Sequence, residues 1–187
     1  LNKSYPTFTR YHQLNKGADR DLSELMYSGR DRRFYTAIVY DKCSWIGETV
    51  ELNLGGNLSA GVRDKEDGGW YNTTTGYYWR KGNIENPTPR AYHNCQVALH
   101  FNIVRLGEAY MNLAEAYLLK HDVPNAVKAL NMTRTIHGGL SESTAATEEE
   151  AWTDYIRERN CELTNEGGDI YYSYLRWGKY GGYANHG

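Results

Sequence analysis

Tryptophan and tyrosine set among glycine, asparagine and threonine are the residues of this sequence best suited to hold a ligand. Trp70, Tyr71 and Asn72 stand together in a polar, glycine-rich stretch, and Trp45 lies earlier in a similar setting. A sugar presents an apolar C–H face and a rim of hydroxyls. It is met by a flat aromatic platform with amides or carboxylates beside it. The competing reading is that each ring plugs a small local core under its loop. For Trp70 and Tyr71, with Asn72 adjacent, both readings stand. Trp45 follows a strand-like piece closely, which favours the plug and makes it the lesser candidate. Tyr77, Tyr78 and Trp79 alternate as a strand would, so either Tyr78 or its two neighbours face inward.

Other chemistries find less support. His93, Cys95 and His100 are potential metal ligands within one short segment, but their spacing matches no zinc pattern and no second ligand pair follows. That segment reads as a helix start with scattered polar residues. Asp64-Lys65-Glu66-Asp67-Gly68 lacks the alternating acidic positions and closing glutamate of a calcium loop, and reads as a solvated acidic turn. There is no nucleophile elbow, phosphate-binding glycine loop, H-E-x-x-H or dinucleotide fingerprint. No cofactor is called for, and no catalytic residue can be named. Two carboxylates suffice for a glycosidase, so an enzyme remains a third reading. Arg105, Glu108, Glu115, Arg157, Glu158, Arg159 and Arg176 lie close to apolar helix faces. Arginine with glutamate on packed helices reads as a structural ion-pair network rather than a site.

The chain that must position these residues has 187 amino acids, enough for one domain with a sizeable core. Lys and Arg number 21 against 23 Asp and Glu, a net charge of -2, so nothing draws it to nucleic acid or an anionic membrane. No apolar run approaches the roughly 18 residues of a membrane-spanning helix. With 17 tyrosines and five tryptophans against three phenylalanines, the aromatic content is amphipathic, which favours binding surfaces over a purely aliphatic core. Cys43, Cys95 and Cys161 are widely spaced and imply no disulfide framework. The chain opens Leu1-Asn2-Lys3 without a signal peptide and closes in a glycine-rich tail, so both ends read as cut, either by processing or from something longer.

Two parts differ in composition. Residues 1–95 are loop-rich, with short strand-like pieces such as Phe34 to Tyr40 and a long glycine-rich excursion from Leu54 to Thr75. Residues 96–178 are helical. Leu99, Ile103, Leu106, Tyr110, Leu113, Ala114, Tyr117 and Leu118 recur at helical spacing and predict one long helix to about Lys120. Pro124 suits the first residue of a second helix with its apolar face on Ala126, Val127, Leu130 and Thr133, ended by Gly138-Gly139. Thr147-Glu148-Glu149-Glu150 is a capping box opening a third helix, on Trp152, Tyr155, Ile156, Arg159 and Leu163, to about Asn165. The first two helices form a tetratricopeptide-like hairpin, present once with no repeat at roughly 34 residues.

Six segments then carry a resemblance. They are Arg30-Asp31-Arg32-Arg33-Phe34-Tyr35; Trp45 and Gly47 with Thr49-Val50-Glu51 and Gly55-Gly56; and Thr75-Gly76-Tyr77-Tyr78-Trp79-Arg80-Lys81. Arg105-Leu106-Gly107-Glu108-Ala109-Tyr110 follows, with Asn112 and Ala114-Glu115-Ala116, and then Asn131 with Arg134. The closing signature holds Ile156, Glu158-Arg159, Glu162-Leu163, Glu166-Gly167 and Leu175-Arg176-Trp177-Gly178. In this order the sequence resembles the SusD/RagB family of outer-membrane nutrient-binding lipoproteins. The chain departs from the family pattern in Arg32 for a proline, Ile170 for an arginine, Ser173 for an aspartate, and Asn160-Cys161 within a basic stretch.

The resemblance implies a mainly α, SusD-like fold with the tetratricopeptide-like hairpin as scaffold and long irregular loops carrying short strands. The whole chain, 1–187, would be one domain corresponding to the C-terminal region of a longer protein. It implies a non-catalytic surface protein that captures oligosaccharide or polysaccharide for a TonB-dependent, SusC-like outer-membrane transporter. Its membrane attachment would be an N-terminal lipid anchor outside this chain. Ligand contacts from this part of the fold are expected in the loop around 41–75. The alternative is a helical scaffold that binds a peptide partner through groove positions such as Asn112 and Lys128.

Overall fold

In the computed structural model, residues 26–52, 56–57, 73, 75–83 and 102–178 are described. Their elements in chain order are α1 (Arg32–Ala37), β1 (Ile38–Val39), β2 (Ser44–Trp45), β3 (Glu48–Thr49), β4 (Tyr78–Trp79), α2 (Leu106–Leu119), α3 (Val123–Ile136), α4 (Glu148–Glu162) and α5 (Asp169–Arg176). The architecture is mainly α, as expected. The chain sorts into two compact units, one holding residues 31–39 and 78–178, the other the described residues among 26–30 and 40–77.

The expected strand from Phe34 to Tyr40 is helical over its first half. Asp31 decides this, because its carboxylate accepts the Arg33 backbone N–H at 2.8 Å and caps a helix that runs to Ala37. Only Ile38 and Val39 extend, pairing antiparallel with Trp79 and Tyr78. Within β4, Tyr78 is half-buried while Tyr77 and Trp79 on either side are exposed, so Tyr78 is the inward residue.

The first long helix is shorter than its periodicity predicts. It starts at Leu106, with Arg105 held extended at φ -127° and ψ 160°. Ile103 is 90% exposed and Leu106 and Leu113 also face solvent; the buried face is Met111, Ala114 and Leu118. The second helix keeps its expected face of Ala126, Leu130 and Thr133, and begins where Asp122 accepts the Asn125 N–H beside Pro124. The third carries the capping box: Glu150 N–H donates to Thr147 Oγ1 at 3.3 Å, and Glu150 Oε2 accepts Thr147 N–H at 3.1 Å. It ends at Glu162 rather than Asn165, and a turn through Gly167 and Gly168 leads into α5, a helix the periodicity did not predict.

The core of this unit joins Met111, Ala114 and Leu118 of α2 with Ala126, Ala129 and Leu130 of α3 and Ala151 and Tyr155 of α4. Alanines at the contact positions let the helices approach closely. Tyr155 anchors the assembly, edge-on to Trp152 at 5.6 Å and to Trp177 at 5.8 Å. Its phenol donates to Glu115 Oε2 at 2.6 Å. Glu115 also accepts from Arg176 at 2.8 and 2.9 Å and from the Trp177 indole at 2.9 Å, tying α5 to α2. Arg159 lies beside them, donating to Asp169 at 2.5 Å, Ser173 Oγ at 3.1 Å and Asn112 at 2.8 Å. Asp169 therefore gives Arg159 its carboxylate although serine stands at 173.

Burial opposes ionisation of Glu115, but the bonds from Arg176, Tyr155 and Trp177 outweigh it and hold the carboxyl down at about 2 instead of 4.5. A carboxyl lowered in the folded state gives stability that is full above its ordinary pKa and is lost as pH falls toward the folded value. Unfolding free energy should therefore drop on acidification from about pH 4.5 toward 2, with Glu115 contributing on the order of 3 kcal/mol. Urea titrations of the parent and of Glu115→Gln across this range should give a shallower acid loss in the variant. Parallel curves would remove Glu115 from this role.

Candidate functional site

The loop-bearing unit is built on a hairpin. Lys42 N–H donates to Val50 at 2.7 Å and Val50 N–H to Cys43 at 2.8 Å, and beyond them Ser44 pairs with Thr49 and Trp45 with Glu48. Asp41 caps its base by accepting the Leu52 N–H at 2.7 Å, and Asn57 braces one strand by accepting from Glu51 at 2.8 Å and donating to Thr49 at 2.9 Å. The tip is Ile46-Gly47, both left-handed at φ 52° and 80°, the geometry of a primed two-residue turn. Glycine accepts that geometry freely, whereas a β-branched isoleucine is strained in it. Ile46 nevertheless stands there, 42% exposed.

Trp45 sits beside this tip, half-buried, and its indole N–H is buried without a hydrogen-bond partner. Trp70, Tyr71 and Asn72 lie outside the described residues, as do the His93–His100 segment and the acidic turn at 64–68. A second aromatic group, not singled out from the sequence, stands at the hairpin's open end. Tyr27 packs on Tyr40 at 4.7 Å and edge-on to Tyr77 at 6.2 Å. Burial, followed by its hydrogen bond with Tyr77, pushes the Tyr27 phenol well above the usual tyrosine range. Three chain segments meet there, and sequence periodicity carries no signal for such convergence.

The helical unit is held by charge. Arg33 donates to Asp31 at 2.6 Å, Glu158 at 2.5 Å and Glu162 at 2.9 Å. Glu162 accepts in addition from Arg105 and, at 2.7 Å, from His137 Nδ1. Arg105 continues to Glu166 at 2.8 Å, and Lys81 joins Glu166 and the Glu162 carbonyl. Glu158 and Glu162 retain 1% and 2% of their exposure, and Thr133 Oγ1 donates to Glu158 at 2.8 Å. Burial alone would raise the Glu162 carboxyl; bonds from Arg105, Arg33 and His137 reverse the shift and lower it. Gly107 makes room for this cluster, because a Cβ there would collide with the Arg105 guanidinium and the Glu162 carboxylate. Of the network anticipated from the sequence, Arg105, Glu115, Glu158, Arg159 and Arg176 form buried or part-buried ion pairs, whereas Glu108 forms none among the described residues; Arg33, Lys81 and His137 are unforeseen members. Among the described residues no group of His, Cys, Asp or Glu is placed to hold a metal ion, and no helix is long and apolar enough to cross a membrane.

The charged cluster thus joins segments separated by more than a hundred residues, and all its members but His137 belong to the pattern read from the sequence. The model of the SusD family matches residues 5–186. The chain belongs to the SusD family. Among solved structures, a SusD-like protein from Bacteroides fragilis NCTC 9343 superposes with a TM-score of 0.64 at 28% identity, covering 81% of this chain and 29% of that one. The chain therefore spans under a third of the length of that relative. No curated protein matches it.

Within this SusD-family chain, truncating Arg33 leaves two buried carboxylates short of a cation. Arg33→Ala should lower unfolding free energy by about 3–5 kcal/mol. Arg33→Lys should recover only part, since one ammonium cannot fork to three carboxylates. Urea denaturation of the three proteins checks this, and a loss below about 1 kcal/mol for Arg33→Ala would place the network among weakly coupled surface pairs.

Proposed function

We propose that this protein is the C-terminal region of a non-catalytic surface protein that captures oligosaccharide or polysaccharide nutrients for import. The observation that carries the reading is the family match, which runs across the loop-bearing and helical parts alike. In this reading the helical unit is scaffold and the loop region around 41–75 holds the ligand. Trp70 and Tyr71 form the aromatic platform, Asn72 supplies amide hydrogen bonds, and Trp45 adds a half-buried ring. The captured glycan passes to a TonB-dependent, SusC-like transporter, and the full-length protein is held at the outer-membrane surface by an N-terminal lipid anchor.

The arginine-paired carboxylates are poorly suited to act as the acid of a glycosidase. A glycosidase needs one carboxyl whose pKa is raised so that it can act as an acid. Glu115, Glu162 and Glu166 are instead lowered: burial works against ionisation in each, and arginine hydrogen bonds prevail.

Native affinity electrophoresis against a polysaccharide panel tests the reading. A stacked ring contributes about 0.5–1.5 kcal/mol, so Trp70→Ala/Tyr71→Ala should weaken retardation by roughly tenfold, and Trp45→Ala by less. Retardation unchanged in the double variant would keep the binding function and remove this platform. Release of new reducing ends from a bound polysaccharide would overturn the non-catalytic reading.

A further inference from the structure

A cleft of about 890 Å³ opens in the helical unit, over the charged cluster. Arg33, Lys81, Arg105, His137, Glu162 and Glu166 all contribute to its wall, and each already has a partner of the opposite kind. Asp169, also in the wall, is taken by Arg159 at 2.5 Å. An anionic ligand would have to displace a carboxylate from one of these cations, which is unfavourable where that carboxylate is buried, as Glu162 is.

What the cleft still offers is hydrogen-bond acceptors and some aliphatic surface. An ionised carboxylate has about four lone-pair sites, and the cations do not fill them all. Glu108 lines the same cleft and forms no ion pair among the described residues. Ile103 and Val104 add exposed aliphatic surface.

Tyr172 completes the arrangement. It lines the cleft with 61% of its surface exposed, yet its ring is not loose. One side rests over Gly168, where a Cβ would lie 3.3 Å from Cε2, and Tyr171 meets the ring edge-on at 5.3 Å. A solvent-facing ring braced by Gly168 and Tyr171, in the same cleft as unfilled acceptors, is a surface that a polyhydroxylated ring stacks on.

We propose that this cleft is a second saccharide site, taking a neutral oligosaccharide that stacks on Tyr172 and donates hydroxyl hydrogens to Glu108 and Glu166. It rests on the capture reading above and is made of residues other than those of the loop platform. It also sets a preference, because the carboxylate of a uronic acid would face Glu108, Glu162 and Glu166 and is disfavoured.

The test uses the whole chain in affinity electrophoresis with starch, dextran, xyloglucan and mannan as neutral probes and polygalacturonate as the acidic one. The loop variant Trp70→Ala/Tyr71→Ala should keep residual retardation by a neutral polysaccharide. Adding Tyr172→Ala should weaken that residue about three- to tenfold, while Tyr172→Phe, which keeps the ring, should preserve it. Circular dichroism of each variant should be unchanged, since the Tyr172 side chain is largely outside the core. Residual retardation insensitive to Tyr172→Ala, or preferential retardation by polygalacturonate, overturns the second site and leaves the capture reading intact. Loss of binding in Tyr172→Ala with none in the loop variant supports the cleft and removes the loop platform. An unaltered protein that no polysaccharide retards overturns both.

Discussion

A carboxylate taken out of water must be surrounded by donors, and Glu162 is the group on which the helical unit turns. Its oxygens gather Arg33 from the first helix, Arg105 from the entrance to α2 and His137 from the end of α3. The adjacent Glu158 shares Arg33 and takes the Thr133 hydroxyl. Each of those donors has a place in the fold because the buried charge requires it. Arg105 is extended rather than helical where it reaches Glu162, and glycine occupies position 107 where any side chain would enter the same space. The apolar core of α2, α3 and α4 supplies the burial, and the ionic cluster fixes which segments come together around it.

This division gives the molecule two kinds of surface. In the helical unit, substitution at a charged position disturbs partners on several elements at once. In the hairpin, Trp45 and Ile46 sit at a tip held by backbone pairing and by Asp41 and Asn57 at its base, so side chains at the tip can change without loosening what supports them. Several of the residues through which the resemblance is visible, Arg33, Lys81 and Arg105 among them, converge on Glu158, Glu162 and Glu166.

How much of this was legible in the sequence follows from the range of each interaction. Signals contained within one turn read true: the Thr147 capping box, the Asp122–Pro124 start and the Gly138-Gly139 stop each concern neighbouring residues. Arg105, Glu115, Glu158 and Arg159 were recognisable as a network by type, though not by partner, because pairing depends on contacts across 40 to 125 residues. The strand expected at Phe34 to Tyr40 failed because one capping carboxylate, Asp31, overrode a β-prone composition. The extension of α2 back to Leu99 failed because periodicity continues through Ile103, while the Arg105 side chain is drawn away to α4. Of the candidate site, Trp45 could be named but its orphan N–H could not, and Tyr27, Tyr40 and Tyr172 gave no local pattern.

The reach of Arg33 has a consequence for biosynthesis. Its carboxylate partner Glu158 lies 125 residues downstream. A ribosome adding about 5–20 residues per second delivers Glu158 roughly 6–25 s after Arg33 has been made. Throughout that interval the first helix has a guanidinium and a capping aspartate but no buried acid to dock on. The last long helix to leave the ribosome is thus the one that closes the first, and the nascent chain completes this unit from its end rather than its beginning.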